Sequence, residues 1–304
     1  MEFVFEQEGF QRTLNGPIEF RGVGLHSNRK VNAIIEPAPG DTGIRILRLD
    51  KAALIHARQE GVVDTRFATV LGNKTGDTVG TVEHFMAALY GMGVDNAIIK
   101  VDGPEMPILD GSALPIAEKI EAEGIVELGC ERRVLVARGA PHIIQLDDSL
   151  IIIEESPHLS ISVTINFAGT LIGEQTASFA LTGETFKREI APARTFVLKE
   201  QIEGLWSSGL ALGGSLENAV VVDGPKVMNE EGLRFTDECA RHKVLDLLGD
   251  FSLLGFPLRC SIVAVRPGHT INSTVIRELS RKIQENSENT DLQRERIITG
   301  ATTN

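Results

Sequence analysis

From about residue 18, apolar and polar positions alternate in short runs, PIEFRGVG, VNAIIEP and GIRILRL, each closed by Gly, Pro or Asp. Period-two alternation with such punctuation predicts β-strands joined by tight turns. The period then lengthens. In TVEHFMAALYGMG (81–93), Val82, Phe85, Met86 and Leu89 recur at helical spacing and glycines close the run, which predicts an α-helix. A strand, NAIIKVDG, and a second helix near SALPIAEKIEAEG follow. The polar stretch EAEGIVELGCERR (121–133) reads as a linker, after which strand-like runs resume with RRVLVA, SLIIIEES and LSISVTINF. Further on, TDECARHKVLDLLGDFSLLG (236–255) predicts a helix with an apolar stripe, followed by a strand, RCSIVAVRPG, and a helix, TVIRELSRKIQEN.

Each half therefore reads as sheet, helix, strand, helix, an α+β pattern that suggests a distant duplication. The expected domains are 1–125 and 130–286, with a polar, frayed tail over 287–304. The second half is longer by a stretch around 170–235. It holds APARTF, the amphipathic KEQIEGLWSSGL and the glycine-rich LGGS, with the insert itself near 195–225.

Composition narrows the function. At 304 residues, 42% hydrophobic and 24% charged, the chain has material for two domains, and with aromatics at only 5% the core must be aliphatic. A net charge of −12 argues against a nucleic-acid partner, whose backbone is held by clustered Lys and Arg. Cys130, Cys239 and Cys260 are odd in number and lack CxxC spacing, so a reducing cytosol is the expected compartment. There is no secretory n-region and no run approaching the roughly 20 apolar residues of a membrane span. A soluble protein without membrane insertion is expected, and nothing in the sequence demands more than a monomer.

The chemistry concentrates in RHKVLDLLGD (241–250). His242, Asp246 and Asp250 are four apart and form a polar ridge on a helix whose other faces carry Val244, Leu245, Leu247 and Leu248. Carboxylates on a buried helix need a cation or hydrogen-bond donors. His and Asp at i, i+4 reach one divalent metal, and a catalytic zinc needs a third protein ligand. His84 in the other half is a candidate, with Glu83 beside it as a general base, as in HExxH zincins at a different spacing. Each histidine alone is more often a hydrogen-bonded or solvated helix residue than a ligand, and the three together leave both readings open.

The motifs GVGLHS (22–27), TVEHFMAALYGMGVDN (81–96), EMPILDGSA (105–113), ARTF (193–196), LGGS (212–215), LRFTDECARHKVLDLLGD (233–250) and GH (268–269) stand in the order in which they occur in a known family, and over nearly the whole chain. The chain resembles the UDP-3-O-acyl-N-acetylglucosamine deacetylases, zinc-dependent enzymes of the committed step of lipid A biosynthesis. The resemblance implies two similar α+β domains with helices packed between two sheets, a small insert in each, and a metal between the domains. It implies His84, His242 and Asp246 as ligands of Zn2+, although this donor set also suits Fe2+. It implies Glu83 as general base, His269 as the acid oriented by Asp250, Thr195 as oxyanion donor and Lys243 as a nearby positive charge. For the acyl chain it points to Phe196, Leu198, Ile202, Ala211, Gly214 and Val221, and for the sugar-nucleotide end to Phe167 and His26.

Two departures stand out. Where some members place a lysine near the diphosphate, this chain has Glu154 and Glu155. RFATVLG lacks the cysteine that binds a second, inhibitory zinc in some members, so inhibition by excess zinc is expected to be weaker here. Two rivals are a metabolite kinase using LGGS and a non-catalytic acyl-sugar binder. LGGS runs into strand-like residues rather than the helix start a phosphate loop needs, and a mere binder has no use for Glu83, His269 and the metal set.

Overall fold

A computed structural model describes the backbone of residues 1–300 and side chains through Glu285. The chain opens with the long strand β1 (Glu2–Leu14) and then lays down β2 (Ile18–Val23), β3 (Lys30–Pro37), β4 (Ile44–Arg48) and β5 (Ala53–His56). A small sheet of β6 (Val62–Asp64), β7 (Val70–Gly72) and β8 (Thr78–Val79) intervenes before helix α1 (Glu83–Met92), strand β9 (Ala97–Val101) and helix α2 (Leu114–Glu123). The main sheet has the order β2-β3-β9-β4-β5, with β9 antiparallel to β3 and parallel to β4. A parallel pair needs a crossover, and α1 lies within it.

The second lobe repeats this plan. After β10 (Ile125–Arg138) come β11 (His142–Leu146), β12 (Ser149–Glu154), β13 (Ser160–Phe167) and β14 (Gly173–Ala180). Next is an insert, beginning with one turn of helix, α3 (Gly183–Thr185), and a π-helical turn, Phe186–Ile190. It continues through β15 (Phe196–Leu198), α4 (Lys199–Ser207), β16 (Val220–Asp223) and β17 (Lys226–Val227). The lobe closes with α5 (Glu238–Phe251), β18 (Leu258–Arg259), β19 (Ser261–Val265) and α6 (His269–Gly300). Its sheet order is β11-β12-β19-β13-β14, with β19 antiparallel to β12 and parallel to β13. Order, sense and position of the insert all match the first lobe, as the duplicated pattern predicts.

Helices α1 and α5 are buried on nearly every side and pack against each other between the two sheets. Their apolar residues join Ile35, Ile46 and Ile99 of one sheet and Ile151, Val163 and Ile262 of the other in one continuous core.

Three expectations are corrected. The stretch 121–133 is no linker: from Ile125 it is the start of β10, which pairs antiparallel with β1 from Glu2↔Arg138 to Leu14↔Ile125. Its first half alternates charged, solvent-facing residues, which suits a two-stranded ribbon, while Val134–Ala137 are buried. The extra stretch of the second lobe begins after β14, not near 170, because Gly173–Ala180 is an edge strand of the main sheet. The backbone of the expected tail continues α6 to Gly300, and residues 301–304 lie outside the described residues.

Candidate active site

The site forms where the first turn of α1 meets α5. A Cβ on Gly249 would lie 2.2 Å from the Glu83 carbonyl oxygen, so only glycine lets the two backbones come this close. The entry to α1 is also strained: Thr81, β-branched, sits at φ +54°, a conformation that costs about 1–3 kcal/mol. Its hydroxyl donates to Glu105 Oε1 at 2.8 Å. Glu105 also accepts from the His26 N–H at 2.8 Å and the Ser27 hydroxyl at 2.6 Å, so the EMPILDGSA and GLHS motifs brace the start of the helix that carries Glu83 and His84.

This approach brings His84 edge-on to His242, ring centroids 5.0 Å apart. Asp246, one turn after His242, points Oδ1 at both: 3.3 Å to His242 Nε2 and 4.0 Å to His84 Nε2. One ligand atom from each of the three lies within 4.8 Å of the others, and all three side chains are buried. His242 Nδ1 sits 3.0 Å from the Ala193 carbonyl, which fixes a proton there and leaves the Nε2 lone pair for a metal. Burial keeps the imidazoles neutral, pushing His84 down to about 3 and lowering His242. Burial alone would raise the Asp246 carboxyl, but His242 and Lys243 outweigh it and hold the group well below the usual carboxylate range. Two lone pairs and a carboxylate oxygen converging in a buried site fit a dication, and two His and one Asp leave a fourth position, as a catalytic zinc requires.

Glu83 and His269 flank this cluster. Glu83 Oε2 accepts from the Thr69 N–H at 3.0 Å, and Oε1 lies 4.0 Å from His269 Nε2. Burial pushes the Glu83 carboxyl up to about 7, with the charge of His269 opposing. His269, first residue of α6, sets Nδ1 2.8 Å from Asp250 Oδ2, which also accepts from Asn272 Nδ2 at 2.8 Å. Burial would lower His269, but the Asp250 carboxylate prevails and raises it to about 9. Between these values Glu83 is a base and His269 an acid.

The segment 193–196 forms the next wall. Buried Arg194 is locked to Glu238 at 2.8 Å, at the start of α5. The Thr195 N–H donates to the Gly111 carbonyl at 2.8 Å, and its own carbonyl accepts from the Val220 N–H at 2.8 Å. Gly111 sits at φ +83°, where a Cβ would strike the Asn218 carbonyl at 2.1 Å, so DGS within EMPILDGSA is the seat of ARTF. Phe196 packs edge-on to His242 at 6.4 Å and to Phe167 at 5.4 Å. Lys243 lies 5.7 Å from the centre of the Phe196 ring and binds Asp246 Oδ2 at 2.7 Å, leaving Oδ1 for the histidines. Its ammonium remains charged because Asp246 outweighs burial.

Beyond Thr195 opens a cleft of about 790 Å³ lined by Phe196, Ile202, Ala211, Gly214, Val221 and His26, among others. Leu198 is a correction: it faces the core beneath β15, buried with Val220 and Val222, and does not line the cleft. LGGS is a docking turn. The Gly213 N–H donates to the Leu25 carbonyl at 2.9 Å, and a Cβ there would meet the Gly24 carbonyl at 2.4 Å. Glu155 is occupied by Arg138 at 2.8 Å and the Gly139 N–H at 3.0 Å, and Glu154 is at the end of β12. The residue that sequence reading missed is Thr69, which touches both Glu83 and Asp250. Its only sequence signal was its place in RFATVLG, read for an absent cysteine.

A buried two-histidine, one-carboxylate metal centre with a carboxylate base on one side and a charged histidine on the other defines a metal-dependent amidohydrolase. Comparison with known proteins agrees. The sequence model of the UDP-3-O-acyl N-acetylglycosamine deacetylase family matches residues 11–281. The chain is 46% identical over 269 residues to UDP-3-O-acyl-N-acetylglucosamine deacetylase of Anaeromyxobacter dehalogenans (strain 2CP-C), covering 88% of this chain and 87% of the relative. To the enzymes of the same name from Myxococcus xanthus (strain DK1622) and Syntrophus aciditrophicus (strain SB) it is 44% and 43% identical, over 88% and 91% of this chain and 86% and 88% of theirs. The chain belongs to the UDP-3-O-acyl-N-acetylglucosamine deacetylase family.

Proposed function

We propose that this chain hydrolyses the N-acetyl group of UDP-3-O-acyl-N-acetylglucosamine, giving UDP-3-O-acyl-glucosamine and acetate, the committed step of lipid A biosynthesis. The observation that carries the reading is the His84, His242 and Asp246 cluster with Glu83 beside it. His84, His242 and Asp246 would hold zinc, which would supply Lewis acidity toward the acetyl carbonyl and make a nearby water more acidic.

Glu83 takes a proton from the attacking water, its other carboxylate oxygen being steadied by the Thr69 N–H. As the water oxygen bonds to the carbonyl carbon, the charge growing on the carbonyl oxygen is met by the Thr195 hydroxyl and the Lys243 ammonium. His269 gives its Nε2 proton to the glucosamine nitrogen as the C–N bond breaks, and Asp250 supports the imidazolium until then. The cleft past Phe196, with Ile202, Ala211, Gly214 and Val221, takes the acyl chain; Phe167, packed on Phe196, and His26, which also lines this cleft, are assigned to the sugar-nucleotide end. The boundary between the domains expected with this reading, 1–125 and 130–286, falls within β10, which runs unbroken from Ile125 to Arg138, so the two domains join through that strand; the protein acts as a monomer in the cytoplasm. Three unpaired cysteines suit that compartment, and no helix among the described residues is long and apolar enough to cross a membrane.

The test is acetate release by two variants. Glu83→Ala should keep its metal and lose about 10²- to 10⁴-fold in kcat, the usual worth of a general base. His84→Ala should lose metal and turnover together. Turnover by Glu83→Ala within tenfold of the parent sinks the role given to Glu83.

A further inference from the structure

We infer that Thr69 is a positioning residue that holds the general base and the general acid of this site in mutual register, an inference that rests on the deacetylase reading above. Thr69 is buried, on the loop just before β7, and it reaches both arms with different groups. Its backbone N–H donates to Glu83 Oε2 at 3.0 Å. Its hydroxyl donates to Asp250 Oδ1, and the same oxygen stands 3.2 Å from His269 Nδ1.

The proton inventory admits one arrangement. A threonine hydroxyl has one proton to give and lone pairs to accept with. With that proton on Asp250 Oδ1, the hydroxyl oxygen is an acceptor toward His269, so the Nδ1–H is shared between it and Asp250 Oδ2. Asp250 Oδ2 already takes bonds from His269 and Asn272, and Oδ1 depends on Thr69. The carboxylate cannot turn without leaving a charged oxygen buried and unmet. The imidazole is thereby held with Nδ1 toward Asp250 and Nε2 toward Glu83 Oε1, the side on which the proton must be delivered. Because the main chain of the same residue fixes the other oxygen of Glu83, a shift of Thr69 moves both groups at once. First-lobe and second-lobe chemistry are coupled through one residue, its main chain on Glu83 of α1 and its side chain on Asp250 of α5.

The experiment compares zinc-loaded wild type, Thr69→Val and Thr69→Ser, measuring kcat, KM, zinc content and the downfield proton NMR resonance of the His269 Nδ1–H. Valine keeps the shape and the backbone N–H and removes only the hydroxyl. Losing a hydrogen bond to a charged group predicts a fall in kcat of roughly 10- to 100-fold, with KM within about twofold and one zinc retained. The Nδ1–H resonance should broaden or shift in Thr69→Val, and Thr69→Ser should restore both kcat and resonance. Unchanged kcat and resonance in Thr69→Val, or failure of serine to restore them, overturns the inference; so does a loss of activity that only follows loss of zinc. Should Thr69→Val not fold, the wild type still decides: a slowly exchanging Thr69 hydroxyl proton close to His269 is required, and its absence overturns the inference. A wild type that never releases acetate would instead fault the deacetylase reading itself.

Discussion

His269 is buried, and burial by itself would strip its proton; the Asp250 carboxylate at 2.8 Å reverses the balance and raises it to about 9. Glu83, buried beside it, is raised to about 7. Activity needs Glu83 without its proton and His269 with one. The rate should therefore rise with pH through the Glu83 limb and fall through the His269 limb near 9. Bound zinc would lower both groups, because a dication favours the carboxylate and disfavours the imidazolium, so both limbs would move to lower pH. In Asp250→Asn the raising charge is gone while the burial remains, so the alkaline limb should move down by about one unit or more. A pH–rate profile of that variant with an unmoved alkaline limb takes the acid role away from His269. At this scale the sequence revealed His242, Asp246 and Asp250 because they share one helix face. Thr69 stayed hidden because its partners are 14 and 181 residues away and no local pattern marks it.

Among the elements, the insert of the second lobe sets what the cleft admits. Helix α4 presents Ile202 and Leu205 to the cleft, and β16 presents Val221 from below. Filling that space should act on the acyl chain and leave the chemistry alone. Ile202→Trp is expected to raise KM at least tenfold for a substrate with a long acyl chain, with little change for a short-chain analogue, one or two methylenes being worth about 1–3 kcal/mol in such a passage. Equal effects on both substrates would place the acyl chain elsewhere. The helices α1 and α5 were legible in their apolar spacing, and their charged residues in turn marked the site. The first half of strand β10 was not, because glycine and alternating charges read as a linker when the partner strand, β1, is out of view; its second half, RRVLVA, was. Leu198 misled for a related reason: Val197 and Lys199 on either side of it line the cleft, whereas Leu198 itself lies in the core with Val220 and Val222.

For the whole molecule, the two lobes have the same sheet order and the same strand senses, yet neither holds a complete site. The first gives Glu83 and His84; the second gives His242, Asp246, Asp250 and His269. The helices α1 and α5 meet through Gly249, and even one methyl there would press on the Glu83 backbone, an overpacking that costs about 1–3 kcal/mol. The duplication was legible as a repeated order of elements. The meeting of His84 with His242 was not, because nothing local in either half states which helix faces which. The decisive measurement is acetate release from UDP-3-O-acyl-N-acetylglucosamine by the native protein, by the same protein after chelation, and after one equivalent of zinc is returned. Loss of turnover on chelation and its recovery with zinc is expected if a metal at His84, His242 and Asp246 joins the lobes into one active site. Turnover that survives complete removal of metal, or metal-loaded protein that never releases acetate, would show that the site does not work in this way.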